Sequence, residues 1–472
     1  MSKFLLNRRN IDVPPIIGGV LVGLAVVLAG IGVVIKPAMI VAGMLVGIVF
    51  LLFPASLLWG FFFYQWTMYL PHIGDKVEAY KLSVGSVNVT PNDLFFAMFA
   101  LLIGLGMLTR PIAFRRALNN TLGKLVAVFS LYQLGQMLWC AFTGVPIDTV
   151  VREGVKYLVC IYMFYIFLYF DRARLAKFAR FAYILVLVLP LFQVYMLASG
   201  AVWYTSSGTE RTFFIGANIL YMLVIIYHLV GFRFNAMNML VIAYMIAGMV
   251  MTQYRSAFVA LLLVLFYALV ILLRRGAVSR VVLGSIGMLM LTTVSITVVS
   301  FVKPDYLGQV VTRYSDTFNT EDLNVSRREI MWKISFETFL KNPVLGVGVA
   351  RPIDIVAAVQ EDNEGMQWSP HNFVMRLLAK EGAIGAGLAL LIRGVLFRGG
   401  VSKRLRNAVG DADKHRFLLT MIMLFVIDLM NATFTYFRTS FVFWMLAGVY
   451  LIGLATAAEQ QRKPNATSDV GG

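Results

Sequence analysis

Long, uninterrupted apolar runs are the feature that most limits what this chain can fold into. They recur near 15–35, 38–54, 55–70, 91–109, 123–142, 155–170, 181–200, 213–231, 236–253, 257–273, 281–301, 382–398, 416–433 and 438–456. Many approach 20 residues, about the length of a helix that crosses the hydrocarbon core of a bilayer. A membrane β-barrel needs alternating apolar and polar positions, and these runs do not alternate. The expected fold class is therefore all-α, a polytopic transmembrane helical bundle of about 12–14 spans. The range reflects the two short runs that meet at Pro54. Composition agrees: 59% of residues are hydrophobic and only 14% are charged, against roughly a quarter charged in soluble domains.

The formal net charge is +17. In a soluble protein this would suggest nucleic acid as partner. Here the basic residues sit in short tails and loops between apolar runs, which excludes nucleic acid and points to the lipid bilayer. With the N-terminus inside, the inner loops and tails hold about 24 Lys and Arg, and the short outer loops about eight. The expected location is a bacterial inner (cytoplasmic) membrane, multi-pass, with both termini cytoplasmic.

The expected organisation is N-terminal transmembrane helices over 1–301, a long periplasmic loop with short helices over 302–370, C-terminal transmembrane helices over 371–458, and a disordered tail over 459–472. Within the loop, Trp332, Phe336 and Phe339 have helical spacing. Cys140 and Cys160 lie inside apolar runs without metal spacing, which predicts packing roles.

Polar residues that a span cannot easily carry mark the candidate chemistry. Of the four histidines, His371 stands apart: Ser369-Pro370-His371-Asn372 lies where the long loop feeds a helix. Arg152, Arg211 and Arg255 fall at the outer ends of spans, where arginine is disfavoured. Taken singly, each has a plainer use: a cap for His371, snorkelling or a surface ion pair for the arginines. Together, an imidazole and several guanidiniums on one membrane face suit proton transfer beside a diphosphate, because guanidinium is planar, permanently charged and bidentate. Arg376, Lys380 and Glu381 precede the apolar part of their span, and are expected to line a polar cavity or to pair with one another. Asp428 is an intramembrane acid, either functional or paired with a residue such as Arg438. Asp411-Ala412-Asp413 has the look of a metal motif but lies in a basic inner loop and reads as solvated. No metal and no cofactor are expected.

The ordered series Arg211 with Asn218, Tyr254-Arg255-Ser256, Arg328 with Trp332, Asn342-Pro343-Val344-Leu345-Gly346-Val347-Gly348, His371-Asn372 and Glu381-Gly382 resembles the O-antigen ligase and O-antigen polymerase superfamily over about 205–385. Two places depart from the family pattern: Met251-Thr252-Gln253-Tyr254 precedes Arg255 where a small residue is usual before the arginine, and the Asn218 region lacks the usual Pro-Asn pair. The resemblance implies a metal-independent glycosyltransferase that moves a glycan from undecaprenyl diphosphate to an acceptor hydroxyl at the periplasmic face. The acceptor would be lipid A–core for a ligase, or a second lipid-linked glycan for an O-antigen or exopolysaccharide polymerase. It implies His371, Arg211 and Arg255 as catalytic residues. Arg152, Arg328, Asn218, Asn372, Gly346, Gly348 and Glu381 would bind substrate. The competing class is a polysaccharide transporter or flippase, which would carry corresponding Gly/Pro breaks in two halves; none is evident.

Overall fold

The computed structural model describes residues 47–67, 82–84, 87–200, 203–204, 210–212, 215–230, 236–274, 293, 297, 301, 304–315, 323–353, 370–402, 410–431 and 437–462. The expected span 15–35, the span 281–301 apart from residues 293, 297 and 301, the first part of 38–54, and the tail beyond 462 lie outside the described residues.

The described chain is helical apart from two short antiparallel hairpins. One pairs β1 (Leu82–Val84) with β2 (Val87–Val89), and the other pairs β3 (Trp203–Tyr204) with β4 (Glu210–Arg211). Its helices are α1 (Ser56–Thr67), α2 (Pro91–Thr109), α3 (Pro111–Leu118), α4 (Thr121–Phe142), α5 (Ile147–Leu158), α6 (Tyr162–Tyr169) and α7 (Arg172–Ser199). They continue with α8 (Ile215–Val230), α9 (Ala236–Thr252), α10 (Arg255–Arg274), α11 (Pro304–Ser315), α12 (Leu323–Lys341), α13 (Phe373–Val401), α14 (Asp411–Asn431) and α15 (Phe437–Arg462). Among the described residues, α2, α4, α7 and α13 are long and apolar enough to cross a membrane, and shorter apolar helices accompany them. The protein is a multi-pass membrane protein. The expected run 155–170 is not one helix: a 3-10 turn over Val159–Ile161 separates α5 from α6. α11 and α12 are short helices within the long loop expected over 302–370.

The chain divides into two compact units, residues 1–111 with 168–185, and residues 112–167 with 186–472. The first packs aromatic side chains edge to face. Trp59 meets Phe178 at 5.5 Å, and Phe61 meets Phe99 at 5.6 Å. α2 opens on a capping box in which Thr90 and Asp93 satisfy each other's backbone N–H groups.

The second unit holds the polar centre. There α8 packs on α9, α4 on α5 and α13, α12 on α13, and α14 on α8, α10 and α13. α13 is broken at Gly382, which has φ +64. A straight helix would place Phe373 and Arg393 about 30 Å apart, yet the Arg393 guanidinium lies 4.0 Å from the Phe373 ring centre. The chain therefore bends sharply at the break, and the apolar span proper begins after Glu381, where the sequence pattern put it. Arg393 also pairs with Asp428 of α14 deep in the unit. Of the two uses open to Asp428, pairing with an arginine is the one seen here, and the partner is Arg393 of α13.

Candidate functional site

Backbone groups freed by a helix break must find partners where water is scarce. Here the segment Asn342–Gly348 supplies them. Ala383 N–H donates to the Pro343 carbonyl at 2.8 Å and Ile384 N–H to Val344 at 3.4 Å. In return Val347 and Gly348 donate to the carbonyls of Ala379 (3.0 Å) and Lys380 (2.8 Å). So the loop clips both ends of the broken helix. The fit explains its glycines. A Cβ on Gly382 would lie 2.3 Å from the Val344 oxygen, and one on Gly346 (φ +69) 2.4 Å from the Lys380 carbonyl carbon. A Cβ on Gly348 would meet the Cys140 sulfur at 2.6 Å. The close approach these glycines permit is to the chain's own backbone and core.

From α4, Tyr132 donates to the Glu381 carbonyl (2.5 Å) and Gln136 to the Leu345 carbonyl (3.0 Å). Glu381 itself is fully buried. Its carboxylate accepts from Gln133 Nε2 at 2.5 Å, and the other oxygen has no hydrogen-bond partner among the described residues. Asn372 caps α13, its side-chain oxygen accepting from Val374 (2.9 Å) and Met375 (3.2 Å). The cap of this segment is thus Asn372 and not His371.

The first half of α13 and α5 form a buried charge cluster. Glu153 meets Lys156 at 2.5 Å, Arg376 at 3.5 Å and Lys380 at 3.9 Å. Arg376 also donates to the Tyr157 hydroxyl at 3.3 Å, and Lys380 to the Val349 carbonyl at 2.9 Å. Three cations share one carboxylate. Burial acts to raise the Glu153 carboxyl, but Lys156, Lys380 and Arg376 outweigh it and hold the group below the ordinary carboxylate range. His371 stands in the same positive field. Burial, then the charges of Arg328 and Arg376, push it down to about 4. Its imidazole is therefore neutral at pH 7 and open to accept a proton.

A second cluster forms where α9 turns into α10. The Met251 carbonyl accepts from the hydroxyls of Thr212 (3.1 Å) and Tyr306 (2.5 Å). Thr252 donates to the Asn218 side-chain oxygen at 2.8 Å. These bonds bring the backbone of Arg211, the amide of Asn218 and the start of α10 at Arg255 to one corner. Gln253, between them, has φ +56, the only positive φ outside glycine among the described residues. Left-handed backbone costs a non-glycine residue roughly 1–2 kcal/mol. Both of its amide atoms are buried without a hydrogen-bond partner among the described residues, a further cost of about 1–3 kcal/mol.

The structure thus sorts the sequence candidates. His371 and Arg328 fall in the first cluster, where Arg376 joins them. Arg211, Asn218 and Arg255 fall in the second. Glu381, Gly346, Gly348 and Asn372 frame the first from beneath. Arg152 belongs to neither: it is two-thirds exposed and pairs with Asp148 at 3.6 Å one turn away. Its neighbour Glu153 is the residue that faces inward. A helical pattern could have found it, since Glu153, Lys156 and Tyr157 share one face of α5. Among the described residues no group of His, Cys, Asp and Glu could hold a metal. Asp411 and Asp413 pair instead with His415 and Arg416.

Residues 240–390 match the family model described as O-antigen ligase. The chain carries an O-antigen ligase family domain. No curated protein matches the chain. The O-antigen ligase domain takes in α10, the clip, His371 and the charged half of α13, so its matched segment holds parts of both clusters. Glu153 and Asn218 lie outside that segment, yet the fold joins Glu153 to Arg376 and Asn218 to Thr252.

Proposed function

We propose that this protein transfers a glycan from undecaprenyl diphosphate to the hydroxyl of an acceptor at the periplasmic face, with lipid A–core as acceptor, and without a metal. The observation that carries this reading is His371: a neutral imidazole beside Arg328 and Arg376 in a pocket where cations outnumber carboxylates.

His371 takes the proton of the acceptor hydroxyl as its oxygen attacks the anomeric carbon. The glycosyl–oxygen bond to the diphosphate breaks, and the leaving group departs with the bonding electrons. Arg328 and Arg376 hold the diphosphate from the His371 side, and Arg211 and Arg255 from the α9–α10 corner, stabilising the charge that grows on it. An imidazolium beside two guanidiniums is unfavourable on its own. The diphosphate offsets that repulsion, so the base gains strength when the donor is in place. General acid–base help of this kind contributes about 10²–10⁴ in rate.

The test is transfer from a purified undecaprenyl-diphosphate glycan to lipid A–core in liposomes containing EDTA. His371→Ala is expected to lose transfer by about 10²-fold or more; near-normal transfer by the variant refutes the base. Abolition by EDTA refutes metal independence. In cells, loss of a ligase strands long polymer on the carrier lipid. Single repeat units there would reassign the protein to polymerisation, with a second lipid-linked glycan as acceptor.

A further inference from the structure

The α9–α10 corner carries a hydrogen-bonding deficit that the fold does not fill. Gln253 and Asn218 are fully buried. The Gln253 Nε2, the Gln253 Oε1 and the Asn218 Nδ2 have no hydrogen-bond partner among the described residues. Asn218 meets the residue before Gln253: the Thr252 hydroxyl donates to its side-chain oxygen and leaves the –NH₂ group uncommitted. The neighbouring Gln193 is not in deficit. Gln193 donates to Thr212 (3.0 Å) and to the Gly248 carbonyl (3.1 Å), and accepts from Tyr221 (2.9 Å). The unmet groups at this corner are thus those of Asn218 on α8 and Gln253 in the turn before Arg255, with the Oε1 of Gln309 on α11 also unpartnered among the described residues. The deficit at Gln253 coincides with the one left-handed non-glycine residue among those described. Strain and an unpaired buried amide at the same position mark a functional rather than a packing role.

We propose that the Gln253 and Asn218 amides form a subsite for the head of a glycosyl diphosphate, the two –NH₂ groups donating to phosphate oxygens and the Gln253 carbonyl accepting from a sugar hydroxyl. This rests on the donor chemistry proposed above and adds to it two neutral residues that recognise the diphosphate by direction rather than charge. The group missing from the corner must offer at least two acceptor oxygens and one donor. A diphosphate attached to a sugar supplies that set, at the positive N-terminal end of α10.

The test uses the full-length protein in nanodiscs, with undecaprenyl diphosphate and undecaprenyl monophosphate as probes. Asn218→Asp keeps the oxygen that Thr252 needs and replaces the donor by a carboxylate oxygen. Gln253→Glu does the same at the turn, and Gln253→Gly keeps the left-handed backbone without strain. The two acidic variants are expected to weaken diphosphate binding by about 10- to 100-fold, and more than they weaken monophosphate binding. Gln253→Gly is expected to bind more weakly by about tenfold while unfolding at or above the wild-type temperature. Equal loss for both probes with a lowered unfolding temperature overturns the subsite in favour of a structural role. Wild-type affinity in all three variants overturns it as well. If the wild-type protein itself fails to bind undecaprenyl diphosphate, the donor chemistry fails, a result distinct from either.

Discussion

Gly382→Ala tests the clip most directly. The new methyl carbon would sit 2.3 Å from the Val344 oxygen, which accepts across the break from Ile384, and 2.6 Å from the Gly346 nitrogen, which donates within the loop to Asn342. Neither can rotate away as a side chain would. The φ of +64 adds roughly 1–2 kcal/mol for any residue with a Cβ, and forced overpacking adds about 1–3 kcal/mol. Together the variant should lose about 2–5 kcal/mol. Gly387→Ala is the matched control: it lies in the same helix with nothing within 4 Å of its added Cβ, so alanine should be neutral or stabilising by roughly 0.5–1 kcal/mol. Thermal unfolding of the two detergent-solubilised variants, run beside the transfer assay, reads the difference. Gly382→Ala should unfold well below wild type and lose transfer, and Gly387→Ala should do neither. If the two variants behave alike, the break is not held by the loop and its account is wrong.

Protonating a base removes it, so the rate should fall as pH drops through its pKa. For kcat/KM that limb reports the free enzyme, where His371 sits at about 4. For kcat it reports the donor complex, where bound diphosphate raises the group, so the kcat limb should lie at higher pH; the reverse order in steady-state profiles would contradict the field proposed at His371. Glu153→Gln leaves Lys156, Arg376 and Lys380 without their shared carboxylate and should destabilise the protein by about 3–5 kcal/mol, seen as a lowered unfolding temperature. Arg393→Met alone should cost a similar ~3–5 kcal/mol by stranding Asp428, and the double variant with Asp428→Leu should recover much of it. Arg152→Ala, at an exposed one-turn pair, should change unfolding by only about ±0.5 kcal/mol.

What the sequence made legible follows from which forces act locally. The apolar runs at 91–109, 236–253 and 257–273 became α2, α9 and α10 nearly residue for residue, because hydrocarbon demands continuous helix whatever the tertiary contacts. The start of apolar character after Glu381 marked the break at Gly382 for the same reason. The family series led to His371 and Arg328, which the fold does bring close. The rest depended on partners distant in the chain. Nothing near Asn342–Gly348 says that its carbonyls will meet residues 383 and 384. The pairing of Asp428 with Arg393 depends on the packing of α13 against α14, which no local pattern announces. Arg152 and Glu153 differ only in which way α5 is rotated, and that is set by its packing on α4. Gln253 carried no local signal of its own, because its burial and unmet hydrogen bonds arise only in the folded chain.

The order in which the ribosome delivers the two halves of the clip has a consequence for biogenesis. Residues 342–348 are synthesised before 379–384, so the strand of acceptors and donors that the interrupted helix needs has already emerged when that helix reaches the lipid. A chain permuted so that the helix came first would have to insert with bare peptide groups at its discontinuity. Such a permutant is expected to stall or be degraded during insertion, although its finished contacts would be the same.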